Sequence, residues 1–125
     1  MLPMAIINII EKENLVQRAA QTGVRLKAEL EKLYQYPIVG DVRGIGLLWA
    51  VELMADRRTR TRLDSRLGVG NFIRQWCWEH GMILRNNGNI LVTAPALVIS
   101  DEEIDVMIAM LEQAIAAATS KFMSP

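Results

Sequence analysis

The sequence has few of the residues that build reactive sites. Among its 125 residues it contains one cysteine, Cys77, and one histidine, His80. A single cysteine excludes an internal disulfide framework, and its use is typical of a reducing cytosol, so we expect a cytoplasmic protein. A single histidine, with no cysteine or carboxylate at metal-ligand spacing, excludes a zinc site and a catalytic triad. We expect His80 to cap a helix and Cys77 to be a buried, inert thiol.

An excess of charge of one sign and long apolar runs are also missing. Lys and Arg together number 14, as do Asp and Glu, so no net field favours nucleic acid or an anionic membrane. The basic run 57–62 is flanked by Asp56 and Asp64 and contains no aromatic residue, which favours a solvated connection over a nucleic-acid site. No apolar run approaches the roughly 20 residues of a membrane span, and the first residues lack the basic segment of a signal peptide.

The chain does have the length and the apolar content of one globular domain. A chain of 125 residues buries roughly two thirds of its unfolded surface. Its hydrophobic fraction of 51% is typical of a packed core rather than of a disordered chain. We therefore treat residues 1–125 as a single domain.

Four segments have the periodicity or the end signals of helices, near residues 4–13, 15–34, 70–80 and 101–119. Gly81 directly follows the third segment and predicts a Schellman turn, while Ser100 and Glu103 form a capping box at the start of the fourth. In the second segment, residues at alternating steps of three and four make one continuous stripe. They are Leu15, Ala19, Thr22, Leu26, Leu30 and Leu33.

Two β-hairpins are predicted between the helices, at residues 38–53 and 82–93. In the first, Gly44 and Gly46 lie where the chain must turn, and the second strand alternates, with Leu47, Trp49, Val51 and Leu53 on one side. In the second, strands at 82–85 and 90–93 flank the turn sequence Asn86-Asn87-Gly88-Asn89. The predicted fold class is α+β, a small antiparallel sheet covered by helices.

Two segments together resemble one known family. Residues 39–53, VGDVRGIGLLWAVEL, are similar to the opening of the C-terminal small domain of class III aminotransferases, pyridoxal-phosphate enzymes of fold type I. Residues 81–105 resemble the hairpin, the proline-containing turn at Pro95 and Leu97, and the capped last helix of that domain. The resemblance implies that this chain is the small domain, with residues 1–35 as a helical lead-in from a large domain.

The resemblance also implies a role for Arg85. In the branch of the family that acts on ω-amino acids or amines with pyruvate as acceptor, an arginine at this position binds the substrate carboxylate. A guanidinium matches a carboxylate through two parallel charge-assisted hydrogen bonds. From the residues alone, a solvent-facing arginine at a hairpin shoulder remains the alternative. The ornithine- and GABA-type branch has an arginine within the strand that reads ILVTA here, and its absence favours the ω-amino acid or amine–pyruvate branch.

The chain departs from the family pattern beside that arginine. Asn86 and Ala96 occupy positions at which family members often have proline. We expect Asn86 to loosen the turn that aims Arg85. Arg43, in the family-like run Asp41-Val42-Arg43-Gly44, is expected to form a structural ion pair or to bind backbone carbonyls rather than to act on substrate.

The chain contains no recognisable site for the cofactor. Pyridoxal-phosphate chemistry needs a Schiff-base lysine, an acidic partner for the pyridinium nitrogen and a phosphate cup. The resemblance implies that all three lie in the large domain. We expect the lysines of this chain, Lys12, Lys27, Lys32 and Lys121, to be solvated surface residues. No catalytic, cofactor-binding or metal-binding residue is predicted, no cofactor is expected on this chain alone, and alone it should not transaminate.

The apolar start of the chain indicates a partner. Met4, Ile6, Ile7 and Ile10 cannot all face one small sheet, so we expect them to contact the large domain or a second subunit, and expect a homo-oligomer. In the complete enzyme the small-molecule partners are an amino donor and a keto acid. The competing hypothesis is a stand-alone, non-catalytic binding or oligomerisation module that retains the small-domain fold.

Overall fold

The computed structural model describes residues 15–93 and 100–123, which form three helices and five strands. In chain order these are α1 (Leu15–Glu31), β1 (Val39–Ile45), β2 (Leu48–Asp56), β3 (Thr61–Arg62), α2 (Val69–Glu79), β4 (Arg85–Asn87), β5 (Ile90–Thr93) and α3 (Asp101–Phe122). Short 3-10 turns follow α1 at Lys32–Gln35 and precede α2 at Ser65–Leu67. The α+β class is confirmed, and the helix predicted near residues 4–13 lies outside the described residues.

All strand pairs in the sheet are antiparallel, and the order is β1-β2-β5-β4. The two predicted hairpins are therefore joined edge to edge, because β2 pairs with β1 on one side and with β5 on the other. The two-residue strand β3 pairs with the end of β2 within the polar connection that precedes α2. In the described part of the chain, no helix is long and apolar enough to cross a membrane.

One hydrophobic core lies between the helices and one face of the sheet. The predicted stripe of α1 is confirmed at Leu26, Leu30 and Leu33, which are almost completely buried, with Leu33 in the 3-10 turn that ends the helix. On β2 the predicted alternation is confirmed, since Trp49 and Val51 are buried. The other buried core residues include Leu53, Ile73, Cys77, Leu91, Ile104, Ile108, Leu111 and Ile115. Burial of this apolar area supplies most of the stabilisation.

The first hairpin turns at one of its two predicted glycines. Ile45 pairs with Leu48, so the connection is two residues long, and its first residue, Gly46, has a φ of 57°. The prediction that Gly44 also serves the turn is wrong. Gly44 lies within β1, where an added Cβ would come within 2.5 Å of the Trp49 ring, so its role is to admit that indole.

The first strand of the second hairpin begins three residues later than predicted. Gly81 ends α2 in the expected Schellman turn, with a φ of 90°, and the Met82 amide donates to the Cys77 carbonyl at 2.8 Å. Because Met82 completes that turn, the strand starts at Arg85, and the hairpin reverses at Gly88, whose φ is 58°. The remaining element bounds differ from the predicted ones by a few residues.

The capping box at the start of α3 is confirmed and gives a stability prediction. The Ser100 hydroxyl accepts from the Glu103 amide at 3.1 Å, and the Glu103 carboxylate accepts from the Ser100 amide at 3.1 Å. Ser100→Ala leaves the Glu103 amide without its cap, so the free energy of unfolding should fall by about 1 kcal/mol in urea denaturation. Ser65→Ala is the matched control, because the Ser65 side chain forms no hydrogen bond within the described residues. An equal loss in both variants would contradict the capping role.

Candidate functional site

The register of the sheet places Arg85 and Arg43 in one row on the same face. Arg85 pairs with Val92, Val92 with Ala50, and Ala50 with Arg43. Residues directly opposite each other in antiparallel strands project to the same side of the sheet. We call the side that carries this row the exposed face. Arg43 and Arg85 lie on the two outer strands, roughly 14 Å apart across three strand spacings.

Arg43 is neutralised by carboxylates of the same face. Its Nη1 donates to Asp41 Oδ2 and to Glu52 Oε1, each at 2.9 Å. The hydrogen bond to Glu52, followed by that to Asp41, raises the pKa of the Arg43 guanidinium. The predicted structural ion pair is confirmed, and this guanidinium is already committed within the chain.

Arg85 has no such partner. Its side chain is exposed at the start of β4, and it forms no hydrogen bond or ion pair with any residue that the structure describes. Arg25 and Arg57 do bind within the chain: Arg25 pairs with Asp101 and Asp105, and Arg57 donates to the Tyr34 carbonyl at 2.6 Å. Arg74 on α2 is exposed and, within the described residues, as free as Arg85. The positively charged guanidinium of Arg85 is thus free to bind a ligand. That this ligand is a carboxylate stays a prediction.

The expectation that Asn86 loosens the turn is wrong. Asn86 projects to the side opposite Arg85 and pairs in register with Leu91, which is fully buried. Its Nδ2 donates to the Asn71 side-chain oxygen at 2.9 Å and to the Gly88 carbonyl at 2.8 Å. Asn86 therefore closes the turn and ties it to α2. Sequence reasoning missed Asn71, because no pattern links two asparagines fifteen residues apart.

The exposed face also carries apolar residues near the first turn. Ile45 and Leu48 form the last pair of the first hairpin, two pairs beyond Arg43 and Ala50 and therefore on the same face, and they are 81% and 55% exposed. Separately, a hollow of about 240 Å³ lies beside the C-terminal half of α2. It is lined by Arg74, Gln75, Trp78, Ile83 and Leu84. Arg85 does not line this hollow, so the hollow and the arginine are distinct features.

The lysines of the described residues do not fit a cofactor site. A Schiff-base lysine needs a pocket that lowers the pKa of its amine. Lys27 is exposed on α1, Lys32 pairs with Glu29 at 3.2 Å, and Lys121 lies exposed, 4.8 Å from the centre of the Phe72 ring. Within residues 15–93 and 100–123, no three His, Cys, Asp or Glu side chains converge to hold a metal.

His80 and Cys77 have the structural roles predicted for them. His80 is the residue that ends α2, its Nδ1 lies 2.7 Å from the Trp76 carbonyl, and its ring stacks on Trp76 at 3.6 Å. Cys77 is completely buried, and burial raises the pKa of its thiol to about 11. The buried thiol of Cys77 is therefore not available for chemistry on a substrate.

Comparison with known proteins gives one consistent family. The model of the family described as class III aminotransferases matches residues 1–115. An uncharacterised aminotransferase of Sinorhizobium fredii, y4uB, is 42% identical over 114 residues, which cover 89% of this chain and 24% of that protein. The putrescine–pyruvate aminotransferase of Pseudomonas aeruginosa is 34% identical over 105 residues, 83% of this chain and 23% of that protein.

A solved structure extends the likeness to the fold. An ω-aminotransferase from Paracoccus denitrificans superimposes with a TM-score of 0.90 at 28% identity, over 95% of this chain and 26% of that chain. The chain thus spans about a quarter of the length of the relatives that it matches.

The burial of Cys77 gives a prediction for its reactivity. The thiolate is the reactive form, and burial raises the pKa of the thiol from 9.0 to about 11. Alkylation of the folded chain at pH 9 should therefore be much slower than alkylation of the urea-unfolded chain. Folding favours the neutral thiol, so this contribution to stability is complete below pH 9 and is lost as the pH rises toward 11. Equal alkylation rates for the folded and unfolded chains at pH 9 would contradict the buried assignment.

Proposed function

The chain belongs to the class III aminotransferase family, and on that basis we propose that it is the C-terminal domain of an enzyme that transfers an amino group from an ω-amino acid or an amine to a keto acid such as pyruvate. Class III aminotransferases use pyridoxal phosphate. The donor and acceptor classes are supported by two relatives: one is a putrescine–pyruvate aminotransferase and the other an ω-aminotransferase.

The cofactor is proposed to be held by residues outside this chain. The three described lysines are exposed or surface-paired, and the chain corresponds to about a quarter of its relatives' length. Bound pyridoxal phosphate supplies the chemistry that accepts and returns the amino group. We propose that this domain contributes substrate binding and, by closing, excludes water from the site.

One observation carries the substrate-binding role: among the residues that the structure describes, none pairs with the Arg85 guanidinium, whereas Arg43 on the same face is neutralised by Asp41 and Glu52. A keto acid has a carboxylate that can take both hydrogen bonds of a guanidinium fork. The long side chain of Arg85 can also turn away when an uncharged amine occupies the site. We therefore propose that Arg85 binds the carboxylate of the acceptor.

The larger assembly remains a proposal as well. The apolar residues Met4, Ile6, Ile7 and Ile10, which lie outside the described residues, are proposed to contact the remainder of the enzyme or a second subunit. We propose a cytoplasmic homo-oligomer, in keeping with the single, buried cysteine.

Replacement of Arg85 tests its role in the full-length enzyme. Arg85→Ala should raise KM for the keto acid by about tenfold or more, because a charge-assisted pair is lost, and should change KM for an uncharged amine little. Arg85→Lys keeps the charge but loses the fork, so its KM should lie between those of the wild type and the alanine variant. Arg74→Ala is the matched control, an exposed arginine on α2. Equal rises in both KM values would refute the proposal.

The extent of the polypeptide tests whether this chain is one domain of an enzyme. We expect the reading frame upstream of the Met1 codon to continue and to encode a cofactor lysine. The native mass should then be several times that of 125 residues. A stop codon directly upstream, together with the native mass of one 125-residue chain, would refute the proposal that this chain is part of an enzyme. The hypothesis of a stand-alone binding or oligomerisation module would then remain.

A further inference from the structure

The β4–β5 hairpin is seated closely on the first turn of α2. A Cβ added at Gly70 would lie 1.9 Å from the Gly88 carbonyl oxygen, so only glycine permits this approach of the two backbones. The Gly70 amide donates to the Asn89 side chain at 3.1 Å, and the Leu53 amide donates to the Asn89 carbonyl at 2.9 Å. The turn therefore contacts both α2 and the central strand β2.

Asn86 lies on β4, and its side chain joins this strand to the turn and to α2. Its Nδ2 uses both of its hydrogens, one toward Gly88 across the turn and one toward Asn71 on α2. Its Oδ1 is buried and has no hydrogen-bond partner within the described residues. An unsatisfied buried oxygen lowers stability. The arrangement thus carries a cost in stability while it holds the backbone of β4 in place.

We infer that Asn86 is a positioning residue for Arg85, an inference that rests on the proposed function. The strand β4 is only three residues long and lies at the edge of the sheet, with a neighbour on one side only. Since consecutive residues of a strand project to opposite faces, anchoring Asn86 on one face fixes the direction of Arg85 on the other. A small rotation of β4 would be amplified at the end of the long arginine side chain.

The anchor has a physical counterpart in proline. A proline at position 86 would restrict the backbone by fixing φ. Here the two hydrogen bonds made by the Asn86 side chain restrict the backbone of the same segment.

The decisive variant is Asn86→Asp in the full-length enzyme, with KM measured separately for the keto acid and for an uncharged amine. The change keeps the shape of the side chain but removes both of its donors, so the hydrogen bond to the Gly88 carbonyl, which can only accept, is lost. We expect KM for the keto acid to rise about fivefold and KM for the amine to stay constant, since a misplaced binding group loses substrate orientation. Equal changes in both KM values would overturn the inference.

Matched variants separate position from charge and from stability. Asn71→Asp adds the same charge beside Asn86 but keeps an acceptor for its Nδ2, so KM for the keto acid should stay near the wild-type value. Asn71→Ala removes that acceptor and should show a smaller rise than Asn86→Asp. If Asn86→Asp does not fold, Asn71→Ala decides. A KM for the keto acid unchanged in Asn71→Ala would then overturn the inference.

A double variant distinguishes this inference from the proposed function. If Asn86 acts through Arg85, then Asn86→Asp should cause no further rise in KM for the keto acid once Arg85 is alanine. The same fivefold rise in both backgrounds would overturn the positioning role alone. An Arg85→Ala variant with an unchanged KM for the keto acid would instead refute the proposed function, and with it this inference.

Discussion

The antiparallel pairing of β2 with both β1 and β5 is the constraint on which the other features depend. It joins two local hairpins into one sheet through pairs such as Val51 and Leu91, both fully buried, and so aligns residues 38 to 44 positions apart. Without that register, Arg43 and Arg85 would share no face, and Asn86 would not face α2. The helices cover one side of the sheet because its alternating apolar residues project there.

Two arginines of one row illustrate how surroundings decide the role of a residue. Arg43 lies between two carboxylates, which accept hydrogen bonds from its Nη1 and raise the pKa of its guanidinium. Arg85 lies at the opposite edge and pairs in register with the aliphatic Val92. The same functional group is thus structural on β1 and available for a ligand on β4.

The asparagines around α2 connect the fold with the proposed function. Asn71, Asn86 and Asn89 satisfy backbone and side-chain groups where the second hairpin meets the helix, and Gly70 allows the contact to be close. This polar contact is local to the strand that carries Arg85, whereas the apolar core stabilises the chain as a whole. In our proposal, the direction of Arg85 therefore depends on these polar contacts, and the stability of the chain depends mainly on the apolar core.

The sequence by itself determined the features that depend on nearest neighbours along the chain. The stripe of α1, the alternation of β2, the Schellman turn at Gly81 and the capping box at Ser100 follow from local periodicity and end signals, and all were predicted. The packing role of Gly44 and the anchoring of Asn86 were not predicted. Each is decided by a contact with a residue distant in sequence or on another element, and only the tertiary structure brings those partners together.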